Sequence, residues 1–376
     1  MPHLYIHWPF CHSKCHFCDF VALAHHEAYQ EQYHRVLCQE IRRYATSVLT
    51  HAPIKTIFIG GGTPSLCPLP LMQELFAVLR SSFDCSALEE VTIESNPADI
   101  NAERLACWRE CGIDRLSMGV QCLDDAVLHS LNRWQRVGDV EQALHEAPKY
   151  FDTISVDLIM GLPGITSDAW YRTIETVVEW PIRHVSVYFL TIHEKTPLYF
   201  AIQDGRVRLN DDDQTTVDMY MQTVKLLEQH GFAQYEISNF AKSGYASKHN
   251  MAYWKRRPYK GFGLGAASFD GASRSVNGNN LGRYLASTDG LVPCTTETLS
   301  EQQARLELLM LGLRQKEGID LHDVVYSMDT QKMQNIEETI AVMRSAGLIE
   351  QQGSKICLTV KGMALENEII VRLFSP

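Results

Sequence analysis

Between residues 4 and 190, short β-rich apolar runs alternate with longer stretches whose apolar positions recur at helical spacing. The runs fall at 4–8, 56–60, 90–94, 115–119, 153–159 and 184–190. The helical patterns fall at 27–47, 70–81, 102–111, 124–131 with 139–147, and 167–179. Strand, helix, strand in that order implies right-handed parallel crossovers. Six such units predict an α/β fold, a barrel or most of one.

Each run ends in a polar or glycine-rich motif. They are a cysteine cluster, Gly60-Gly61-Gly62-Thr63-Pro64, Glu94-Ser95-Asn96-Pro97, Gly119-Val120-Gln121, Asp157 with Gly161-Leu162-Pro163-Gly164, and Tyr188-Phe189-Leu190-Thr191. Active sites of parallel barrels lie at the carboxyl ends of their strands, so the motifs are expected to meet in one cavity, Pro97 and Gly164 serving as plain turns. The glycine run is not a P-loop, because no Gly-Lys-Ser/Thr follows. It suits close approach of backbone to a ligand, or simply a tight turn.

The cluster after the first run is Cys11, Cys15 and Cys18, spaced C-x3-C-x2-C. It is too crowded for a disulfide framework and lacks the second pair of a closed structural zinc site. Thiolates at this spacing suit an iron–sulfur cluster, and three ligands on a cubane leave one iron open. Zinc with His12 or His16 as fourth ligand stays open as an alternative. A second C-x3-C, Cys107 and Cys111, sits in a helical pattern ending at Gly112 and reads as a buried apolar face.

The string Tyr5-x-His7-x-Pro9-Phe10-Cys11-x3-Cys15-x-Phe17-Cys18 resembles the radical S-adenosylmethionine superfamily. Within it, the string resembles the group of the oxygen-independent coproporphyrinogen III oxidase HemN and its relative HemW, a haem chaperone. The resemblance implies a [4Fe-4S] cluster on Cys11, Cys15 and Cys18, with S-adenosylmethionine on the open iron. It implies cofactor contacts from Gly61, Gly62, Thr63, Glu94, Gln121, Arg133 and Asp157. Tyr5, Phe17 and Phe189 match cofactor-packing positions and fit core packing nearly as well.

Further along, 191–205 precedes a helix at 215–230, then a strand and turn over 235–241. His249-Asn250-x-x-Tyr253-Trp254 follows, beside Lys255, Arg256, Arg257 and Lys260, and then Gly261-x-Gly263-x-Gly265. Rings flanked by cations suit a flat anionic ligand, with single-stranded nucleic acid or a plain surface loop as alternatives. The H-N-x-x-Y-W string is similar to the HemW signature associated with haem binding, which makes His249, Asn250, Tyr253 and Trp254 the haem candidates. Ala267 stands where that family usually has His. From 300, helices at 301–315, 320–325 and 330–345, strands at 348–352 and 356–359, and a helix at 361–374 resemble a winged helix.

Composition narrows the partners. The 376 residues suit about two to three domains. The expected division is 1–240 as a partial (β/α)6 TIM-like radical-SAM barrel, 241–299 as a connector and 300–376 as a winged-helix-like α+β domain. Eleven cysteines behind an N-terminus unlike a signal or transit peptide point to a reducing compartment, the cytoplasm. A net charge of −11 argues against nucleic acid as the main partner, and no apolar run is long enough to span a membrane.

Three features separate the two kinds of relative. HemN proteins have a fourth Cys two residues after the third, where this chain has Phe20, and a long extension ahead of a motif that begins here at Tyr5. Against these, Asn132-Arg133-Trp134-Gln135 is closer to the oxidase pattern than to the Gly-Arg-x-His usual in HemW. The expectation is a HemW-like protein binding haem or a porphyrinogen, with a haem-acceptor protein and an electron donor as partners. The alternatives are an oxidase acting on coproporphyrinogen III propionates through a 5′-deoxyadenosyl radical, and a zinc-stabilised scaffold.

Overall fold

The computed structural model describes residues 1–47, 52–209, 213–325 and 330–374. Six strands lie side by side in parallel: β1 (His3–Trp8), β2 (Thr56–Gly61), β3 (Glu90–Ser95), β4 (Arg115–Gln121), β5 (Thr153–Met160) and β6 (His184–Phe189). The crossovers are α1 (Gln30–Ser47), α2 (Leu69–Ser82), α3 (Ala102–Glu110), α4 (Asp125–Ser130), α5 (Val137–Glu146) and α6 (Ser167–Val178). Their starts are set locally. The side chains of Asn101, Asp124 and Thr166 accept from the backbone N–H groups of Arg104, Val127 and Ala169. Along β1, Leu4, Ile6 and Trp8 are buried in the apolar core, with Trp8 packed on Phe10 and Tyr33 of α1.

The barrel's margins differ from the expectation. Thr196 caps α7 (Pro197–Gln203), a helix within the 191–205 segment, to which the sequence pattern assigns no element, and α8 (Asp213–Gln229) leads on. Strands β7 (Ala233–Gln234) and β8 (Asn239–Ala241) then extend the sheet, β8 antiparallel to β6 and β7 antiparallel to β8. After α9 (Lys248–Trp254), β9 (Tyr259–Phe262) pairs parallel with β1, on the side away from β2. β10 (Ala267–Phe269), β11 (Ser273–Asn277), α10 (Leu281–Leu285) and β12 (Cys294–Thr298) continue outward, completing a 12-stranded sheet. Part of the expected connector is therefore sheet. Its strands are short, and β12 is exposed throughout, so no alternation of buried and exposed positions marks it in the sequence.

Helix α1 clamps this extension to the barrel. Tyr33 donates to the His7 carbonyl at 2.6 Å and accepts from Leu264 N. The buried Glu40 carboxyl accepts from Gly263 N, Asn277 and Tyr284. A Cβ at Gly263, which has φ +102°, would lie 2.5 Å from the Tyr33 hydroxyl. That glycine serves contact between protein segments rather than a ligand.

The C-terminal part comprises α11 (Glu301–Arg314), β13 (Ile319–Asp320), α12 (Leu321–Val325), α13 (Thr330–Ser345), β14 (Ile349–Gln352), β15 (Lys355–Leu358), α14 (Val360–Ala364) and α15 (Glu366–Phe374). Its antiparallel sheet runs β13-β15-β14. The expected single closing helix breaks at Leu365. Arg314 binds it to the barrel, pairing with buried Glu236 at 2.6 Å and lying 4.3 Å over the Trp254 ring.

Candidate active site

The carboxyl ends of β1–β6 surround a cavity of about 550 Å³. After β1 the chain turns at Pro9 into Phe10–Cys11, which pairs with Leu23–Ala24. This holds the cysteine loop across the barrel mouth, and Cys11, Cys15 and Cys18 all line the cavity. The loop is also tied to the far wall, where His16 N donates to the Leu131 carbonyl and Asn132 Nδ2 to that of Lys14.

Burial raises the Cys11 thiol to about 11 and lifts Cys18 as well. A bound metal inverts this by taking the thiolate directly. Two hydrogen-bond donors nonetheless reach the sulfurs. Thr63 Oγ1 donates to Cys11 Sγ at 3.2 Å and Arg133 Nη1 to Cys15 Sγ at 3.4 Å. No fourth thiol lines the cavity. Phe20, 70 % exposed, stands at the mouth with half-exposed Trp134, which lies edge-on to His12 at 4.6 Å.

The glycine loop works differently from a phosphate cradle. Gly61 N donates to Glu94 Oε2, Gly62 N to the Trp8 carbonyl and Thr63 N to the Phe10 carbonyl. A Cβ at Gly62 would collide with the Pro9 carbonyl and lie 2.9 Å from Cys11 Sγ. The run therefore lets β2 end tightly beneath the cysteine loop. With its amides occupied, it has carbonyl oxygen to offer a ligand, the partner of an ammonium.

Two carboxyls face each other across the floor. Burial, with the charge of Asp157 nearby, pushes Glu94 up to about 8. Burial also raises Asp157, against the pull of hydroxyls from Ser186 and Ser117, the latter at 2.9 Å. Carboxyls whose charge is disfavoured by burial mark a site suited to a cationic partner. Arg133 is fixed by the Gly119 carbonyl at 2.9 Å and by Gln135, whose amide donates to the Gly119 and Val120 carbonyls. Gln121, at φ +65°, lines the cavity with a buried Oε1 that has no partner among the described residues. An orphaned acceptor, a fixed guanidinium and two buried carboxyls fit a zwitterionic cofactor with a polar tail.

Phe17, Gly61, Gly62, Thr63, Glu94, Gln121, Arg133, Asp157 and Phe189 thus share one cavity with the three cysteines. Tyr5 does not join them. Its hydroxyl bonds His7 Nδ1 at 3.0 Å and its ring stacks on Phe58, outside the cavity walls. Tyr188 lines the cavity, as its strand-end motif leads one to expect, whereas Ser117 and Gln135 were not anticipated. Ser117 could have been found two residues before Gly119, on the same strand face, and Gln135 two residues after Arg133.

The haem candidates lie elsewhere, at the opposite end of the barrel. His249 is fully buried, with Nδ1 at 2.7 Å from Thr56 Oγ1 and Nε2 at 2.9 Å from Tyr253 hydroxyl. Burial lowers its pKa to about 3, so it is neutral. Asn250 sits in the first turn of α9, its N–H on the Ser247 cap. The Trp254 carbonyl accepts from Gln315 and its ring lies under Arg314. With both imidazole nitrogens engaged, these residues do not fit a haem iron in this arrangement. Ala267 lies in β10, also outside the cavity. The expected grip of rings and cations is dispersed: Arg256 pairs with Glu307 at 2.9 Å and Lys260 packs over Tyr44 and Phe262. Cys107 and Cys111 are buried, as read from the sequence.

Residues 5–177 match the Radical SAM superfamily and residues 299–365 the HemN C-terminal domain. The chain is 36 % identical to the haem chaperone HemW of Bacillus subtilis, covering 98 % of both chains. It is 30 % identical to HemW of Lactococcus lactis over 97 % of this chain and 95 % of that one. The crystal structure of the Escherichia coli coproporphyrinogen III oxidase HemN aligns over 99 % of this chain and 90 % of that chain, with a TM-score of 0.83 at 24 % identity. That likeness establishes the shared barrel and C-terminal domain. By its end-to-end similarity to HemW and its cysteine-lined barrel mouth, the chain belongs to the HemW family of radical SAM proteins.

Proposed function

We propose that the protein is a haem chaperone that carries a [4Fe-4S] cluster and S-adenosylmethionine and passes haem to an acceptor protein. The end-to-end match to Bacillus HemW carries this reading. The donor set beneath it supports the cofactors. Cys11, Cys15 and Cys18 would hold the cluster, and an open iron on it supplies a site for the amino and carboxylate groups of S-adenosylmethionine. Thr63 and Arg133 steady two of the thiolates by hydrogen bonds. Glu94 would turn anionic as positive charge enters, Asp157 would face that charge, and Gln121 would take a donor from the cofactor. The proposed setting is the cytoplasm, with an electron donor as second partner.

Haem binding rests on the relatives, not on His249 as it stands here. Uptake at that residue would require α9 to leave the barrel base. A second reading, porphyrinogen oxidation, draws on Gln135, which braces Arg133 where the HemW pattern has His.

Anaerobic reconstitution with iron and sulfide, followed by haem titration, separates the two. Stoichiometric haem uptake with no consumption of coproporphyrinogen supports the chaperone. A cluster-loaded protein that ignores haem and depletes coproporphyrinogen overturns it. Cys11/Cys15/Cys18→Ala should lose the cluster's visible absorbance entirely, and zinc without labile sulfide in the anaerobically purified wild type would support the scaffold instead.

A further inference from the structure

A second group of metal-ligating side chains lies on the outer layer, away from the cavity. His34 and Cys38 occupy positions i and i+4 of α1, and Glu74 reaches them from α2. His34 Nε2 is 3.1 Å from Glu74 Oε2 and 3.4 Å from Cys38 Sγ, and all three ligand atoms lie within 4.8 Å of one another. Both helix-α1 residues are 1 % exposed, while the Glu74 side chain is 53 % exposed. None of the three lines the cavity.

Hydrogen bonding alone serves this group poorly. Nε2 faces a carboxylate and a sulfur at once, and it can donate a proton to only one. Among the described residues His34 Nδ1 is buried with no partner, and a metal on Nε2 would leave it so; the conflict an ion would relieve is the one at Nε2. If the proton sits on Nε2, the Nδ1 lone pair is left unpaired. If it sits on Nδ1, that N–H is unpaired and Nε2 points its lone pair at the carboxylate. A tetrahedral ion with bonds of about 2.0–2.3 Å sets neighbouring ligand atoms roughly 3.3–3.6 Å apart. The two short separations here are already close to those edges, so little movement is needed.

We propose that His34, Cys38 and Glu74 form a binding site for a divalent transition-metal ion of the zinc type, joining α1 to α2. A thiolate, an imidazole and a carboxylate together suit zinc or its neighbours and exclude magnesium and calcium, which take oxygen donors. Water reaches the fourth position on the side of exposed Glu74. Binding releases the Cys38 proton, because burial otherwise holds that thiol up at about 12. The role is structural. α1 also carries Tyr33 and Glu40, the two clamps on the sheet extension, so the ion would stiffen the helix that joins the barrel to β9–β11. The site stands independently of the haem reading.

The test uses the full chain with Cys11, Cys15 and Cys18 changed to Ser, so that the barrel mouth cannot take up the probe. Cobalt(II) is titrated anaerobically and followed by its visible d–d bands and the ultraviolet thiolate-to-cobalt charge-transfer band. Zinc is then added as competitor. One cobalt per chain is expected, with tetrahedral bands that zinc erases. Cys38→Ser should abolish the charge-transfer band, and His34→Gln should weaken affinity by more than the roughly tenfold that loss of an outer partner costs. Glu74 is exposed, so Glu74→Gln tests the third ligand without disturbing the core. If the triple variant does not fold, the same titration on the cluster-loaded wild type, read as a difference spectrum, serves in its place. Absence of binding, or a band unchanged by Cys38→Ser, overturns the site.

Discussion

The two ends of the barrel are built from the same strands and do opposite things with polar groups. At the carboxyl ends, Cys11, Glu94, Gln121 and Asp157 face a cavity, where burial disfavours the charge of Glu94 and leaves Gln121 Oε1 without a partner among the described residues. At the amino ends, the polar groups around His249 are equally buried but closed on one another. His3 bonds Thr56, Thr56 bonds His249, and His249 bonds Tyr253. Glu90 caps the start of α9 through Ser247 Oγ and the N–H groups of Lys248 and His249, and Arg115 reaches the Tyr245 carbonyl. A buried polar group is costly only when unpaired. The amino end can therefore act as a sealed base, while the carboxyl end stores unmet polar demand for a ligand.

Three substitutions sharpen that contrast. The largest effect is expected at the base. His249→Ala leaves Thr56 and Tyr253 short of a partner around a cavity, at roughly 2–4 kcal/mol of stability. Denaturant unfolding should show this, while affinity for S-adenosylmethionine in the surviving folded fraction stays close to wild type. Equal loss in both would mean that the ends are not separable.

At the mouth the pattern should reverse. Arg133→Ala is expected to weaken S-adenosylmethionine binding by about 10- to 100-fold, the range for a hydrogen bond to a charged group. Its melting temperature should hardly move. Unchanged affinity by calorimetry would remove Arg133 from the cofactor site.

The smallest effect concerns pH. Glu94 has a folded pKa of about 8 against an ordinary value of 4.5, so between these values the folded state binds more protons than the unfolded one. Its contribution to stability is present at low pH and is lost as pH rises towards 8. Glu94→Gln should flatten that decline in the cofactor-free protein and be the more stable form at pH 8. A parallel decline in both proteins would assign the pH dependence to other groups.

Much of the mouth was legible in the chain. A strand ending in a motif is a local event, so strand ends, the cysteine spacing and helix caps such as Thr166 could be read without long-range knowledge. Glu94, Gln121 and Asp157 followed from their places at strand ends. Tyr5 did not fall in the cavity, because it lies in the amino-terminal half of β1, where its hydroxyl bonds His7 two residues on along the same face. The segment that forms β9–β12 was opaque, since strands of three to five residues carry too few positions to show a period.

His249 marks the boundary between the two kinds of information. The sequence by itself determined the barrel, the three thiols and the family, because these depend on residue types at fixed local spacing. Only the tertiary structure decided what His249 does. A histidine offering a lone pair and a histidine whose nitrogens are both occupied look the same in the chain. The difference lies in Thr56, some two hundred residues away, brought against α9 by the register of β9 on β1 and of β1 on β2. Partners set by sheet register belong to the folded chain as a whole, and no local pattern contains them.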